Sequence, residues 1–257
     1  MPNQKILYVT TEMFPYQEDS NMAAMVNKMA LKMYREGNDV RVFMPRFGLI
    51  SERKFQLHEV IRLSGMNIII NDLDQPLIIK VASLPGERLQ VYFIDNDEYF
   101  KRKTFYHDAE GKFYEDNGER AVFFARGVIE TIKKLNWVPD VIHFNGWMSS
   151  FIPIYLNTFY KNDYYFKNTQ LVMSVYNEPD AVLNAGIADI LKFDNIDGLK
   201  ALENPTLQNF NIDSMNFVDT VVKGDEFLEG ELDKAYDLIS ADKKDYVEPE
   251  SIDQIYK

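Results

Sequence analysis

The sequence predicts an α/β fold: an open, mostly parallel sheet with helices on both faces and an antiparallel hairpin insertion. Three observations carry that expectation. Short apolar runs such as KILYVT, residues 5–10, read as strands buried on both faces. Such runs alternate with stretches whose apolar residues recur at three and four, the helical period. A middle segment, residues 54–95, is instead cut into brief β-branched runs by turn-forming residues.

After KILYVT, the residues Met22, Met25, Val26, Met29, Ala30 and Met33 form a helical stripe ended by Gly37-Asn38, read as core filling. DVRVFMP, residues 39–45, is a second strand, which completes a right-handed strand–helix–strand unit. MNIII, PLIIKVASL and RLQVYFI, separated by signals such as Asn71-Asp72 and Pro85-Gly86, are expected to pair antiparallel. The tyrosine-rich stretch from Asp95 to Arg120 is too long for a plain connector and is expected as a lid or an insertion packed by its own aromatics. Asp116 and Glu119 have the spacing of a capping box. They open a helix whose buried stripe is Ala121, Phe124, Ala125, Val128, Ile132 and Leu135. PDVIHFNGW and TQLVMSVYNEPD read as two more strands with polar ends, the first leading into a helix through SSFIPIYLN. FVDTVVKGDEFLEGEL gives a last short strand and an acidic helix.

A chain of 257 residues is long enough for one large α/β domain. Its 46% hydrophobic and 26% charged residues are those of an ordinary soluble globular protein. The net charge of −12 argues against nucleic acid and membrane partners, which need a basic surface. The last 35 residues hold eleven acidic and five basic residues, and are expected as a solvated helix and tail. The expected organisation is therefore one domain over residues 1–240 and an acidic C-terminal tail over 241–257. There is no cysteine, and His58, His107 and His143 have no ligand-like spacing, so neither a metal nor a cofactor is expected. The start has too short an apolar run for a secretory signal and no run approaches a membrane span, so a cytoplasmic location is expected.

In open α/β sheets, ligands sit at the carboxyl ends of the strands. Thr10-Thr11-Glu12, the stretch from His143 to Trp147, and Tyr176-Asn177-Glu178 should meet on that edge, with Asp116 and Asn117 on a loop closing over them. Histidine, amide, hydroxyl and carboxylate groups beside aromatic faces suit a polyhydroxylated ligand. The same residues also suit ordinary strand-end caps.

KILYVTTEMFP, EGNDVRVFMPRFGLI, the stretch from VYFIDNDEYF to ARGVIE, and LNWVPDVIHFNGWMSSFIPIYL occur in the order and near the spacing of one known family. The chain resembles the N-terminal domain of bacterial glycogen and starch synthases, the GT-B type glucosyltransferases that extend α-1,4-glucan from ADP-glucose. The likeness is dense from Lys5 to Asn157 and thins afterwards. It implies a Rossmann-like domain and carries Asp116, Asn117, His143, Trp147, Tyr176 and Asn177 over as substrate-binding candidates, with no catalytic residue assigned.

The chain departs from the family pattern at several of these places. The family's K-T-G-G, which faces the phosphates of the sugar nucleotide, is Glu18, Asp19, Ser20 and Asn21 here. Two acids where a cation should be, and no glycine to let amides wrap an anion, make this a degenerate donor loop. The family's H-A-H-D-W is HFNGW, with Asn145 and Gly146 in place of histidine and aspartate, and T-V-H-N is SVYN, with Tyr176 in the histidine position. The resemblance also implies a second, nucleotide-binding domain, and the sequence is expected to stop where the linker into it would begin. Together these imply a glycosyltransferase-related domain that binds glucan or another sugar without independent transfer of glucose. The alternatives are a non-enzymatic interaction or regulatory domain with a protein partner, and half of a split glucosyltransferase completed by a partner chain.

Overall fold

A computed structural model describes residues 3–17, 20–184 and 186–256. Glu18 and Asp19 of the expected donor loop lie outside the described residues. Ten strands form the sheet among the described residues: β1 (Lys5–Thr10), β2 (Asp39–Pro45), β3 (His58–Glu59), β4 (Met66–Ile70), β5 (Leu73–Ser83), β6 (Gln90–Asp95), β7 (Val141–Asn145), β8 (Gln170–Val175), β9 (Thr220–Lys223) and β10 (Asp242–Lys244). Their order across the sheet is β10-β9-β8-β7-β1-β2-β6-β5-β3, with β4 on β5. The helices are α1 (Asn21–Arg35), α2 (Glu52–Phe55), α3 (Asp97–Phe100), α4 (Asn117–Leu135), α5 (Phe151–Asn157), α6 (Gly186–Phe193), α7 (Leu207–Met215) and α8 (Gly230–Leu238).

β1 lies at the centre, parallel to β2 on one side and to β7 on the other, so that Tyr8 stands opposite Val42 and His143. Every residue of β7 and the last five of β1 are buried, so the sheet is covered on both faces there. The methionine stripe of α1 is the buried face of that helix, as its spacing predicts. Ser20 caps α1 by accepting the Ala23 amide at 3.0 Å.

Three expectations need correction. The run RLQVYFI does not belong to the antiparallel insertion alone. As β6 it pairs antiparallel with β5 and parallel with β2, which makes it the strand that joins the two halves of the sheet. The capping box at α4 does not form. Asp116 is the N-cap residue but makes no side-chain capping bond; its carboxylate pairs with Arg102, and Glu119 accepts the Tyr99 hydroxyl at 3.0 Å. A nearby guanidinium and phenol simply outcompete backbone amides for these carboxylates.

The third correction concerns the solvated acidic tail. Residues 242–244 extend the sheet as β10, parallel to β9, and a 3-10 turn over Pro249–Gln254 packs on α1. Ile252 and Ile255 are buried, and Lys32 holds Asp253 at 2.9 Å. The acids of this stretch face outward while a sparse set of apolar residues faces in. Counting charge along the chain registers the first set and misses the second.

Candidate functional site

The carboxyl ends of β1, β7, β8 and β9 open into a cleft of about 590 Å³. Its far wall is the long tyrosine-rich loop, which contributes Thr104, Phe105, Tyr106, His107, Asp108 and Phe113. The loop packs on its own aromatics, as expected, and also on rings outside it. Phe47 meets Phe105 and Tyr106 edge-on at 5.1 and 5.5 Å, and a β-bridge joins His107 to Phe113. Tyr106 and Phe113 in turn lie against Trp147, at 5.4 and 6.2 Å between ring centres.

Five acids line the cleft, namely Glu12, Asp108, Glu178, Asp180 and Asp225, and among the described lining residues there is no lysine or arginine. Glu178 accepts the backbone amide of Trp147 at 3.2 Å. Desolvation pushes its carboxyl up to about 8; the Trp147 amide opposes this and the charge of Glu12 adds to it. Asp225 bridges two elements, accepting Asn21 Nδ2 at 2.8 Å at the start of α1 and the Asn177 amide at 2.7 Å.

Of the candidates, Ser20, Asn21, Trp147, Tyr176 and Asn177 come together in the cleft wall. Tyr176 donates its hydroxyl to Asn145 Oδ1 at 2.9 Å and packs where a side chain on Gly224 would collide with its ring. The Asn177 side chain holds the turn after β9, donating to the Phe227 carbonyl at 2.7 Å and accepting the Glu229 amide at 2.9 Å. Asp116, Asn117 and His143 do not line the cleft. Asp116 is tied to Arg102 through both carboxylate oxygens, and Asn117 is buried, donating to the Tyr106 carbonyl at 2.9 Å and accepting from Arg120. His143 is fully buried within β7, with Nδ1 on the Tyr256 hydroxyl at 2.9 Å and Nε2 on the Ser174 hydroxyl at 2.7 Å. Burial lowers its pKa to about 3, so the ring is neutral.

Gly146 explains one departure from the family pattern. Its φ is +84°, and a Cβ there would come within 2.0 Å of the Thr11 hydroxyl. An aspartate cannot enter that position without moving the Thr11 side chain, just past β1, and Met22, whose sulfur also lies in the way at 3.0 Å. The strand-end rule brought Glu178 to this edge, although it is not among the substrate-binding candidates, and it missed Asp225, because β9 is too short a run to mark its exit in the sequence.

An open parallel sheet with a ligand-sized cleft at its carboxyl edge defines a doubly wound α/β binding domain. The chain matches the model of the starch synthase catalytic domain over residues 5–225 and belongs to that family. It is therefore a glycogen/starch synthase-related glycosyltransferase domain. It is 33% identical over 236 residues to a glycogen synthase of Chlorobium luteolum, covering 90% of this chain and 48% of the relative. A glycogen synthase of Chlorobaculum parvum is 36% identical over 176 residues, covering 68% of this chain and 36% of the relative. The chain thus spans half or less of the length of these curated relatives. The catalytic domain of starch synthase IV from Arabidopsis thaliana, bound to ADP and acarbose, shares the fold with a TM-score of 0.67 at 16% identity, over 86% of this chain and 44% of that one.

Proposed function

We propose that this domain binds a neutral glucan or oligosaccharide in the carboxyl-edge cleft and does not by itself transfer glucose from ADP-glucose. The observation that carries this reading is the lining: aromatic rings, amides and five acids, with no lysine or arginine among the described residues. An uncharged polyol meets no like-charge repulsion in such surroundings and gains hydrogen bonds and ring stacking. A diphosphate would meet like charge from the first contact. Asp225 already holds Asn21 at the start of α1, the end of a helix that attracts anions, so a phosphate there would lie against a carboxylate. The starch synthase IV domain is bound to ADP and acarbose, which supports a ligand-binding role for this fold.

A second reading, an interaction domain with a protein partner, draws on exposed apolar side chains close to the cleft. Phe227 is 73% exposed and Val182 63%, and Leu49 in the cleft wall is 48% exposed. Calorimetric titration separates the two. Maltotriose should bind on the millimolar scale, since a few hydrogen bonds and a stacked ring are offset by ordering costs, and ADP-glucose should give no heat. Silence from maltooligosaccharides of every length would favour the interaction domain. Tight ADP-glucose binding, or labelled glucose incorporated into glycogen by this chain alone, would overturn the proposal.

A further inference from the structure

The base of the cleft holds two polar groups that the fold leaves without full employment. The Tyr106 hydroxyl is buried, and its one side-chain hydrogen-bond neighbour is Thr11, with which it forms no bond of good geometry. The Glu178 carboxyl receives the Trp147 amide, and no cation among the described residues lines its cleft. A buried polar group without a partner costs stability and calls for an explanation in a ligand, a water or a function. We propose that the Glu178 carboxyl, with the neighbouring Tyr106 hydroxyl, grips a hydroxyl of a neutral saccharide lying against the Trp147 wall, and that alkaline solution releases this grip.

This inference rests on the sugar-binding reading of the cleft and names the residue that sets its specificity. The resemblance did not single out Glu178, which directly follows the SVYN stretch. Its surroundings decide which protonation state binds. Glu12 from the end of β1 and Asp225 from beyond β9 bring negative charge, as does Asp180 on its own segment. Glu229, ahead of α8, lines the adjoining hollow with Glu178 and Asn211 of α7. The Trp147 amide and the Asn211 side chain bring only dipoles. Desolvation already favours the neutral carboxyl, with a pKa of about 8. A saccharide that covers Glu178 removes more water and brings no positive charge, so it binds the protonated form. The neutral acid then donates one hydrogen bond and accepts another, which a polyol can satisfy from both sides. Above the midpoint, ionisation beside Glu12 adds an uncompensated charge that the ligand would have to bury.

The test is a titration of the full chain with maltotriose at pH 7 and pH 9, followed by calorimetry and by NMR shifts of the cleft segments. The parent should bind about tenfold more weakly at pH 9, since one unit above the midpoint leaves about a tenth of the carboxyl protonated. Glu178→Gln keeps a neutral donor and acceptor and should bind equally at both pH values. Glu178→Leu should lose binding at both while unfolding as cooperatively as the parent. Affinity that is flat or rising from pH 7 to pH 9 in the parent, or Glu178→Gln that follows the parent's pH profile, overturns this inference and leaves the sugar reading standing. No maltotriose binding at either pH, with the cleft resonances unmoved, overturns both.

Discussion

His143 and Trp147 are four residues apart at the end of one strand, yet they belong to opposite kinds of polar cluster. Around His143 the groups satisfy one another: Tyr8 hydroxyl to Tyr256 hydroxyl at 2.7 Å, Tyr256 to His143 at 2.9 Å, and His143 to Ser174 at 2.7 Å. Around Trp147, among the described residues, there are carboxyl groups with no lysine or arginine in the cleft lining and a phenol with no well-formed hydrogen bond. The first cluster fastens the C-terminal segment to the sheet. The second is left open to the cleft. Residue type does not distinguish a closed polar cluster from an open one. The pairing of its atoms does.

The largest expected effect lies in the closed cluster. His143→Ala strands the Tyr256 and Ser174 hydroxyls in a buried site and should cost about 3 kcal/mol of unfolding free energy in urea. The same residue makes that cost depend on pH. Its folded pKa of about 3 is below the ordinary value of 6.5, so the unfolded state takes up the proton first and stability falls as pH falls through that window. The gap between parent and His143→Ala should therefore shrink by about 2 kcal/mol from pH 6.5 to pH 5. A gap that stays constant would mean that the ring is not held neutral.

Restoring the family's aspartate at Gly146 probes the seam between the clusters. The positive φ and the approach of Thr11 should make Gly146→Asp destabilising by about 2–3 kcal/mol, read from the urea midpoint. A variant as stable as the parent would show that Thr11 can give way there.

Removing one hydroxyl from each cluster sharpens the comparison. Tyr256→Phe breaks bonds to both Tyr8 and His143 and should cost about 1–2 kcal/mol. Tyr106→Phe deletes a hydroxyl with no well-formed hydrogen bond, so it should change stability by no more than about 0.5 kcal/mol while weakening maltotriose binding. If thermal unfolding shows the two variants equally destabilised, the distinction between a closed and an open cluster fails.

The smallest effect is expected at the donor loop. Glu18→Lys with Ser20→Gly and Asn21→Gly takes the loop from two negative charges to neutral, since Asp19 remains, and frees its amides, at the loss of the Ser20 cap. The triple variant should gain weak, salt-sensitive binding of pyrophosphate, limited by Asp225, and no transfer activity. Pyrophosphate bound as tightly by the parent would show that the loop is not degenerate.

The local pattern was enough to predict most of the sheet. Apolar runs and the three-and-four spacing marked β1, α1, β2 and β7, because burial on both faces writes itself directly into residue type. Collinear blocks pointed to the family, and the strand-end rule brought Trp147, Tyr176 and Asn177 to one edge. The structure decided what depends on contacts distant in sequence. The parallel pairing of β6 with β2 reflects which neighbour was free, and no run of residues encodes that. Ile252, Ile255 and Tyr256 fold the acidic segment onto α1 and β7, although its charge count suggests solvent. The neutrality of His143, the Arg102 clamp on Asp116 and the raised carboxyl of Glu178 follow from desolvation and from partners many residues away. Polar residue types were legible in the sequence, but only the tertiary structure decided which of their atoms were spent on the protein itself and which were left unpaired at the cleft.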